Sequence, residues 1–314
     1  MIYKLNDKVA TREAFGAAIL KFGGKFKNVI VLDADLASSL KTQKFAQIYP
    51  ERYLNFGIAE SNMVTAAAGM AIRGKVPFAC SFAIFATGRA WEFIRNAVCY
   101  PNLNVKIVGS HAGVLTGEDG ATHQALEDIA IMRAIPNMKV ICPADANEAY
   151  LAVEEIIKDF GPTYLRLGRA SLPVIYDSSH KFKIGYADIL TFGEDICIFA
   201  TGPLVHSCLE AAKKLKERDI HTTVVNISTI KPLDEKLVID CAKKCKIIVT
   251  AEDHQITGGL GSAVMEVLSE NYPKQVHRIG MEKFGESGKP EDLYKKYGLD
   301  AEGVYSRLSE WLTN

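Results

Sequence analysis

The sequence predicts an α/β protein of two consecutive domains, each a mainly parallel sheet flanked by helices. Three observations predict it. Short β-branched apolar runs alternate with helical patterns from one end to the other, the signature of parallel strands covered on both faces. The 314 residues suffice for two cores of roughly 150 residues each. A polar segment carrying Pro173 and Asp177-Ser-Ser-His180 interrupts the rhythm near the middle, as a linker would.

Taken in order, the first series places strands at 28–33, 76–82, 105–110, 139–142 and 163–167. Helical spacing fills 60–73, 85–98, 126–133 and 147–158 between them. The break covers 171–192. A second series follows, with strands at 196–200, 222–227, 247–251 and 275–279. Its helices lie at 205–218, 235–244, near 262–270 and near 304–312. The expected domains are therefore 1–175 and 185–314, joined by a linker over 176–184.

Composition narrows the function classes. Apolar residues make up 48% and charged residues 24%, ordinary for an α/β protein in water. Formal net charge is zero, which argues against nucleic acid or an anionic membrane as partner. Seven scattered cysteines without a Cys-x-x-Cys pair read as buried thiols of a reducing compartment. The amino terminus lacks a signal-peptide pattern and no run reaches about 18 apolar residues, so a cytoplasmic location is expected.

In an open parallel sheet, ligands gather where strands end and helices begin. Glu60 is the sharpest residue at such a place. It opens a helical run of otherwise small and apolar residues, Asn55-Phe-Gly-Ile-Ala-Glu60 onward. A carboxylate there can simply cap the helix; buried in an aromatic pocket, it can hold or share a proton. Phe82 and Phe85, after the next strand, offer an apolar wall to a flat ring or simply pack in the core. His254 precedes a Gly-rich helix start but misses the dinucleotide spacing, and reads as structural or interfacial.

An ordered set of motifs then becomes specific. Gly57-Ile-Ala-Glu60, Ser81-Phe-Ala-Ile-Phe85, Ser110-His111, Gly117-Glu-Asp-Gly-Ala-Thr-His-Gln124, Arg133-Ala-Ile-Pro-Asn-Met138, Pro143-Ala-Asp145 and Leu167-Gly-Arg169 follow one another. Their order and spacing resemble the pyrimidine-binding domain of transketolases, and the trailing half resembles the transketolase carboxy-terminal domain. The resemblance implies thiamine diphosphate as cofactor, with Glu60 activating its aminopyrimidine and Phe82 and Phe85 packing against it. Asp35 and Leu36, in Leu32-Asp-Ala-Asp-Leu36, match positions beside the cofactor. His111 and His123 match histidines facing the reacting carbons of the sugar. Asp119 matches a residue that reads a sugar hydroxyl, while Arg12, Ser39 and Arg169, with His111 nearby, match positions that grip the substrate phosphate.

The implied reaction moves a two-carbon ketol unit from a ketose phosphate to an aldose phosphate. Full-length members also carry a diphosphate-binding half with a Gly-Asp-Gly string, absent from these residues. The resemblance therefore implies an N-terminal partner subunit that supplies Gly-Asp-Gly and holds Mg²⁺ or Ca²⁺, in a heterotetramer that contains a homodimer of this chain. Three other readings share parts of the pattern: a 1-deoxyxylulose-5-phosphate synthase-like enzyme, a 2-oxoacid dehydrogenase beta-type subunit, and a regulatory or scaffold subunit. The first usually has Asp-Arg where Ser110-His111 stands here; the second lacks Thr-His-Gln. Gly88 stands where the family often has a third aromatic ring, with Trp91 one turn further on.

Overall fold

The structure is a computed structural model that describes residues 3–313; the outermost ends of the two expected domains, residues 1–2 and 314, lie outside it. Among the described residues the strands form three sheets. The largest has seven strands, and Lys106–Ser110 lies at its centre. Val76–Phe82, Val29–Asp33 and Tyr53–Asn55 follow on one side, and Thr163–Arg166 and Lys139–Ile141 on the other, all parallel. The outermost strand, Thr229–Lys231, runs antiparallel to Lys139–Ile141 and comes from the second half of the chain. The second sheet, in spatial order, is Val276–Met281, Ile247–Gln255, Ile196–Ala200, Thr222–Asn226 and Asp188–Thr191. Only Asp188–Thr191 runs antiparallel there.

The apolar runs become strands because both faces are covered. Every residue of Val76–Phe82 and of Lys106–Ser110 is buried. Helices Thr11–Lys25 and Ala146–Lys158 pack together on one face of the first sheet, and Glu60–Ile72 lies on the other. Ala146–Lys158 begins with Asp145 accepting the Glu148 amide, an ordinary N-cap.

Several local expectations are corrected. The interval 171–192 is not free of structure: Ser171–Pro173 pairs with Lys8–Ala10, and Asp188–Thr191 edges the second sheet. The stretch 85–98 is not one regular helix. It is wound as a π-helix over Phe85–Arg89, a short α-turn over Trp91–Phe93 and a second π-helix over Ile94–Cys99. All seven cysteines are buried and free. No helix of the described residues is long and apolar enough to cross a membrane.

Candidate active site

The candidate residues assemble at the carboxyl ends of the first sheet's strands. Glu60 starts the helix Glu60–Ile72 and is only 2% exposed. Its Oε1 accepts from Ser81 Oγ at 3.1 Å, and its Oε2 faces Arg89 Nη1 at 3.3 Å. Phe82 and Phe85 stand nearly parallel, centroids 6.2 Å apart. His111 stacks on Phe82 at 4.0 Å, and His123 meets Phe85 edge-on at 5.4 Å. Two imidazoles, two phenyl rings and one buried carboxylate thus share one wall.

His111 sits in the left-handed region at φ +58°, where a side chain costs about 1–2 kcal/mol. Its ring is nevertheless fixed, by Phe82 and by Ser110 Oγ 3.0 Å from Nδ1. Burial, then the charges of Arg12 and Arg169, push the imidazole down to about 3, so it is neutral at any working pH. His123 has its Nδ1 2.9 Å from Thr122 Oγ1.

Beside His111 lies a cationic corner. Arg12 donates from Nη1 to the Ser39 carbonyl at 3.0 Å, so Ser39 meets it through the main chain. Arg12 Nε is buried without a partner, and burial pulls the guanidinium below its ordinary range. Arg169 donates to the Thr116 carbonyl at 2.7 Å and pairs with Glu118 and Asp119, each at 3.3 Å. Asp35 also has positive φ, +65°, and is exposed. Asn55 holds it in both directions: its Oδ1 accepts the Asp35 amide and its Nδ2 donates to Asp35 Oδ1, each at 3.1 Å. Leu36 is half-buried, its amide donating to Asp33 Oδ1.

Two family models match the chain, the transketolase pyrimidine-binding domain over residues 7–174 and the transketolase C-terminal domain over residues 185–304. The chain belongs to the transketolase family. It is 49% identical over 304 residues to a Methanocaldococcus jannaschii protein assigned by name to the transketolase C-terminal section, covering 95% of each chain. It is 39% identical to a 6-deoxy-6-sulfo-D-fructose transketolase subunit of Clostridium sp., covering 95% of this chain and 93% of that one. Among solved structures, a split-gene transketolase described as an inactive β4 tetramer superposes with TM-score 0.89 at 45% identity, over 98% and 99% of the two chains. This chain is thus a transketolase C-terminal-type section, and the family depends on thiamine diphosphate.

Arg89 is the site residue that sequence reasoning missed. Its guanidinium covers the Phe85 ring at 4.2 Å while facing Glu60. The Cβ position of Gly88 meets nothing within 4 Å. Trp91 instead turns its indole N–H to the Ile131 carbonyl. The signal was available: Arg89 lies four residues after Phe85, the spacing that puts two side chains on one helical face.

Metal-type donors gather elsewhere. Glu148, His180 and Asp188 bring three donor atoms within 4.8 Å of one another. The two ring nitrogens face different acids, however. Nε2 is 3.8 Å from Glu148 and Nδ1 is 3.7 Å from Asp188. That is an imidazole bridging two carboxyls, not a set converging on one ion. His254 is fully buried between the two halves, its Nε2 accepting the Ala130 amide at 3.3 Å.

Proposed function

We propose that this chain is the pyrimidine-holding and sugar-holding half of a thiamine-diphosphate-dependent transketolase. It would move a two-carbon ketol unit between a ketose phosphate and an aldose phosphate, and work only when a diphosphate-binding half is supplied. The observation that carries this reading is the buried Glu60 carboxylate at the foot of the Phe82–Phe85 wall, with His111, His123 and the Arg12–Arg169 corner alongside.

The residues fit the pyrimidine half of the cofactor. Phe82 and Phe85 present an apolar face to a flat heterocycle, and Glu60 presents a carboxylate for the proton at its ring nitrogen. Asp35 and Leu36 line the same strand end. When bound, thiamine diphosphate supplies the nucleophilic carbon and the electron sink for carbon–carbon cleavage. His111, being neutral, offers a hydrogen bond to a sugar hydroxyl or developing alkoxide rather than a charge. His123 exchanges protons at the same end, where Nε2 is left by the Nδ1 contact to Thr122. Asp119 accepts from a sugar hydroxyl. The substrate phosphate goes to Arg12, whose Nε is an unanswered donor, and to Arg169, with Ser39 beside them.

The diphosphate and its Mg²⁺ or Ca²⁺ belong to the other half, for no Gly-Asp-Gly string occurs in the 314 residues. A partner subunit with that string, two of each chain together, accounts for a near-full-length relative assigned to the C-terminal section and for a β4 tetramer described as inactive. The Clostridium relative's name adds a second substrate reading, a sulfonated ketose in place of a phosphorylated one.

The test is co-expression with an N-terminal chain carrying Gly-Asp-Gly. Ketol transfer from xylulose 5-phosphate to ribose 5-phosphate is assayed with thiamine diphosphate and Mg²⁺, with 6-deoxy-6-sulfofructose as alternative donor. Activity only in the mixture is the expected result. A stable, cofactor-loaded complex that transfers from neither donor would refute the substrate assignment.

A further inference from the structure

The chemistry described so far sits on the first sheet, yet the loop that carries Asp119 and His123 is seated on the second half of the chain. That loop, Gly113 to Gln124, turns through three glycines with positive φ: Gly113 at +79°, Gly117 at +76° and Gly120 at +75°. Each lies where the second half comes close. A Cβ on Gly113 would fall 2.2 Å from Asp253 Oδ2, one on Gly117 would meet Pro290 at 2.9 Å, and one on Gly120 would meet Ser287 at 3.4 Å. The glycines are therefore as much docking positions as turn positions.

Polar contacts fix the seating. Asp253, 1% exposed, accepts the Val114 amide on Oδ1 at 2.8 Å and the Tyr294 hydroxyl on Oδ2 at 3.0 Å. Its main-chain carbonyl accepts from Arg166 Nη2 at 2.9 Å, which ties it back to the first sheet. Further along, Ser287 Oγ donates to the Glu118 carbonyl at 2.6 Å, and Gln124 Nε2 donates to the Glu286 carbonyl at 2.9 Å. The loop is held at its start, at the residue before Asp119 and at the residue after His123.

We infer that Asp253 is a positioning residue for the sugar end of the site: through the Val114 amide it sets the loop that aims Asp119 at Arg169 and His123 at the Phe82–Phe85 wall. The cofactor end needs none of these contacts, because Glu60, Phe82 and Phe85 are placed by the first sheet itself. Asp253 should thus govern sugar binding and leave cofactor binding alone. The catalytic part of this inference rests on the function proposed above; the placement of the loop does not.

The experiment uses Asp253→Ala, Asp253→Asn and Ser287→Ala in the full chain, alone and in the reconstituted complex. In Asp253→Asn the side-chain oxygen still accepts the Val114 amide, so it is the conservative rescue. In the chain alone, amide exchange over 114–120 should quicken at least tenfold in Asp253→Ala and stay near wild type in Asp253→Asn, with exchange at 60–64 unchanged. In the complex, Asp253→Ala should raise KM for the sugar at least tenfold, with thiamine diphosphate Kd within twofold of wild type. Unchanged loop exchange in a folded Asp253→Ala overturns the inference, whatever the activity. Equal loss of sugar and cofactor binding, not rescued by asparagine, also overturns it. Should Asp253→Ala fail to fold, Ser287→Ala must quicken exchange at 118–120, or the inference falls. A wild-type complex without ketol transfer, but with the exchange pattern above, sinks the proposed function and leaves the seating of the loop supported.

Discussion

Arg166→Met should destabilise the protein by about 3–5 kcal/mol, the range for stripping one partner from a buried ion pair. The magnitude follows from the surroundings of Asp128, which is 2% exposed. Arg166 meets it with two hydrogen bonds, Nε to Oδ2 at 2.7 Å and Nη2 to Oδ1 at 3.1 Å. Burial pushes the carboxyl up, Arg166 outweighs that, and the group ends below the ordinary carboxylate range. Methionine would fill much of the volume but leave the buried charge with the Tyr164 hydroxyl, 2.6 Å away, and no guanidinium. It would also free the Ala125 and Asp253 carbonyls that Arg166 now satisfies. Lys213→Met is the control. Its ion pair with Glu210 is also close, at 2.6 Å, but the two side chains are 70% and 38% exposed, so the loss should stay within about 1 kcal/mol. Urea unfolding followed by fluorescence suits both variants, because Trp91 and Trp311 report on different halves of the chain. Equal midpoints for Arg166→Met and Lys213→Met would mean that water reaches Asp128, and the reasoning from burial would fail.

Glu60→Gln should lower kcat of the reconstituted complex by roughly 10²–10⁴, the usual worth of a positioned acid–base group; near-wild-type turnover would remove Glu60 from the mechanism. His111 should show no ring titration between pH 5 and 8 by NMR, because burial and the arginines hold it near 3; a transition near 6.5 would contradict that. Glu148 is pushed up to about 8 by burial, so the folded state holds a proton there that the unfolded state loses near 4.5. That stability is complete below about 4.5 and is lost as pH rises through about 8. His180, lowered by burial, works the opposite way below about 6.5. Between pH 6.5 and 8 wild type should therefore lose stability relative to Glu148→Gln, by at most about 1.4 kcal/mol per pH unit; parallel curves would refute the assignment.

The parallel strands were legible because each is a short β-branched run with both faces covered. Val76–Phe82 and Ile196–Ala200 fall where the pattern put them. What escaped was set by distant partners. Ser171–Pro173 and Asp188–Thr191 are edge strands, and their polar, half-exposed residues resemble a linker until a neighbour supplies the hydrogen bonds. Thr229–Lys231 is three residues long and pairs across the domain boundary, so no local period could announce it. Helix Thr11–Lys25 is rich in alanine and glycine, which blurs the apolar stripe although eight of its residues are buried. At the site, motifs adjacent in sequence could be read together. The Glu60 contact of Arg89 and the loop contact of Asp253 could not, since they span 29 and 139 residues.

The charges at the site divide its labour. On the proposed function, a neutral His111 near two guanidiniums brings no charge to a phosphate, so that work would fall to Arg12 and Arg169. These two differ in readiness. Arg169 is already answered by Thr116, Glu118 and Asp119, whereas Arg12 has only the Ser39 carbonyl and keeps Nε unpaired. A buried donor without an acceptor costs about 1–3 kcal/mol until something accepts from it. An incoming phosphate oxygen would remove that penalty at Arg12, whereas at Arg169 it must compete with two carboxylates. On the proposed function Arg12 would therefore be the primary anchor and Arg169 the adjustable one. Because Asp119 is tied to Arg169, drawing Arg169 toward a phosphate would also free Asp119 for a sugar hydroxyl. Phosphate recognition and hydroxyl recognition would in this way be coupled through a single guanidinium.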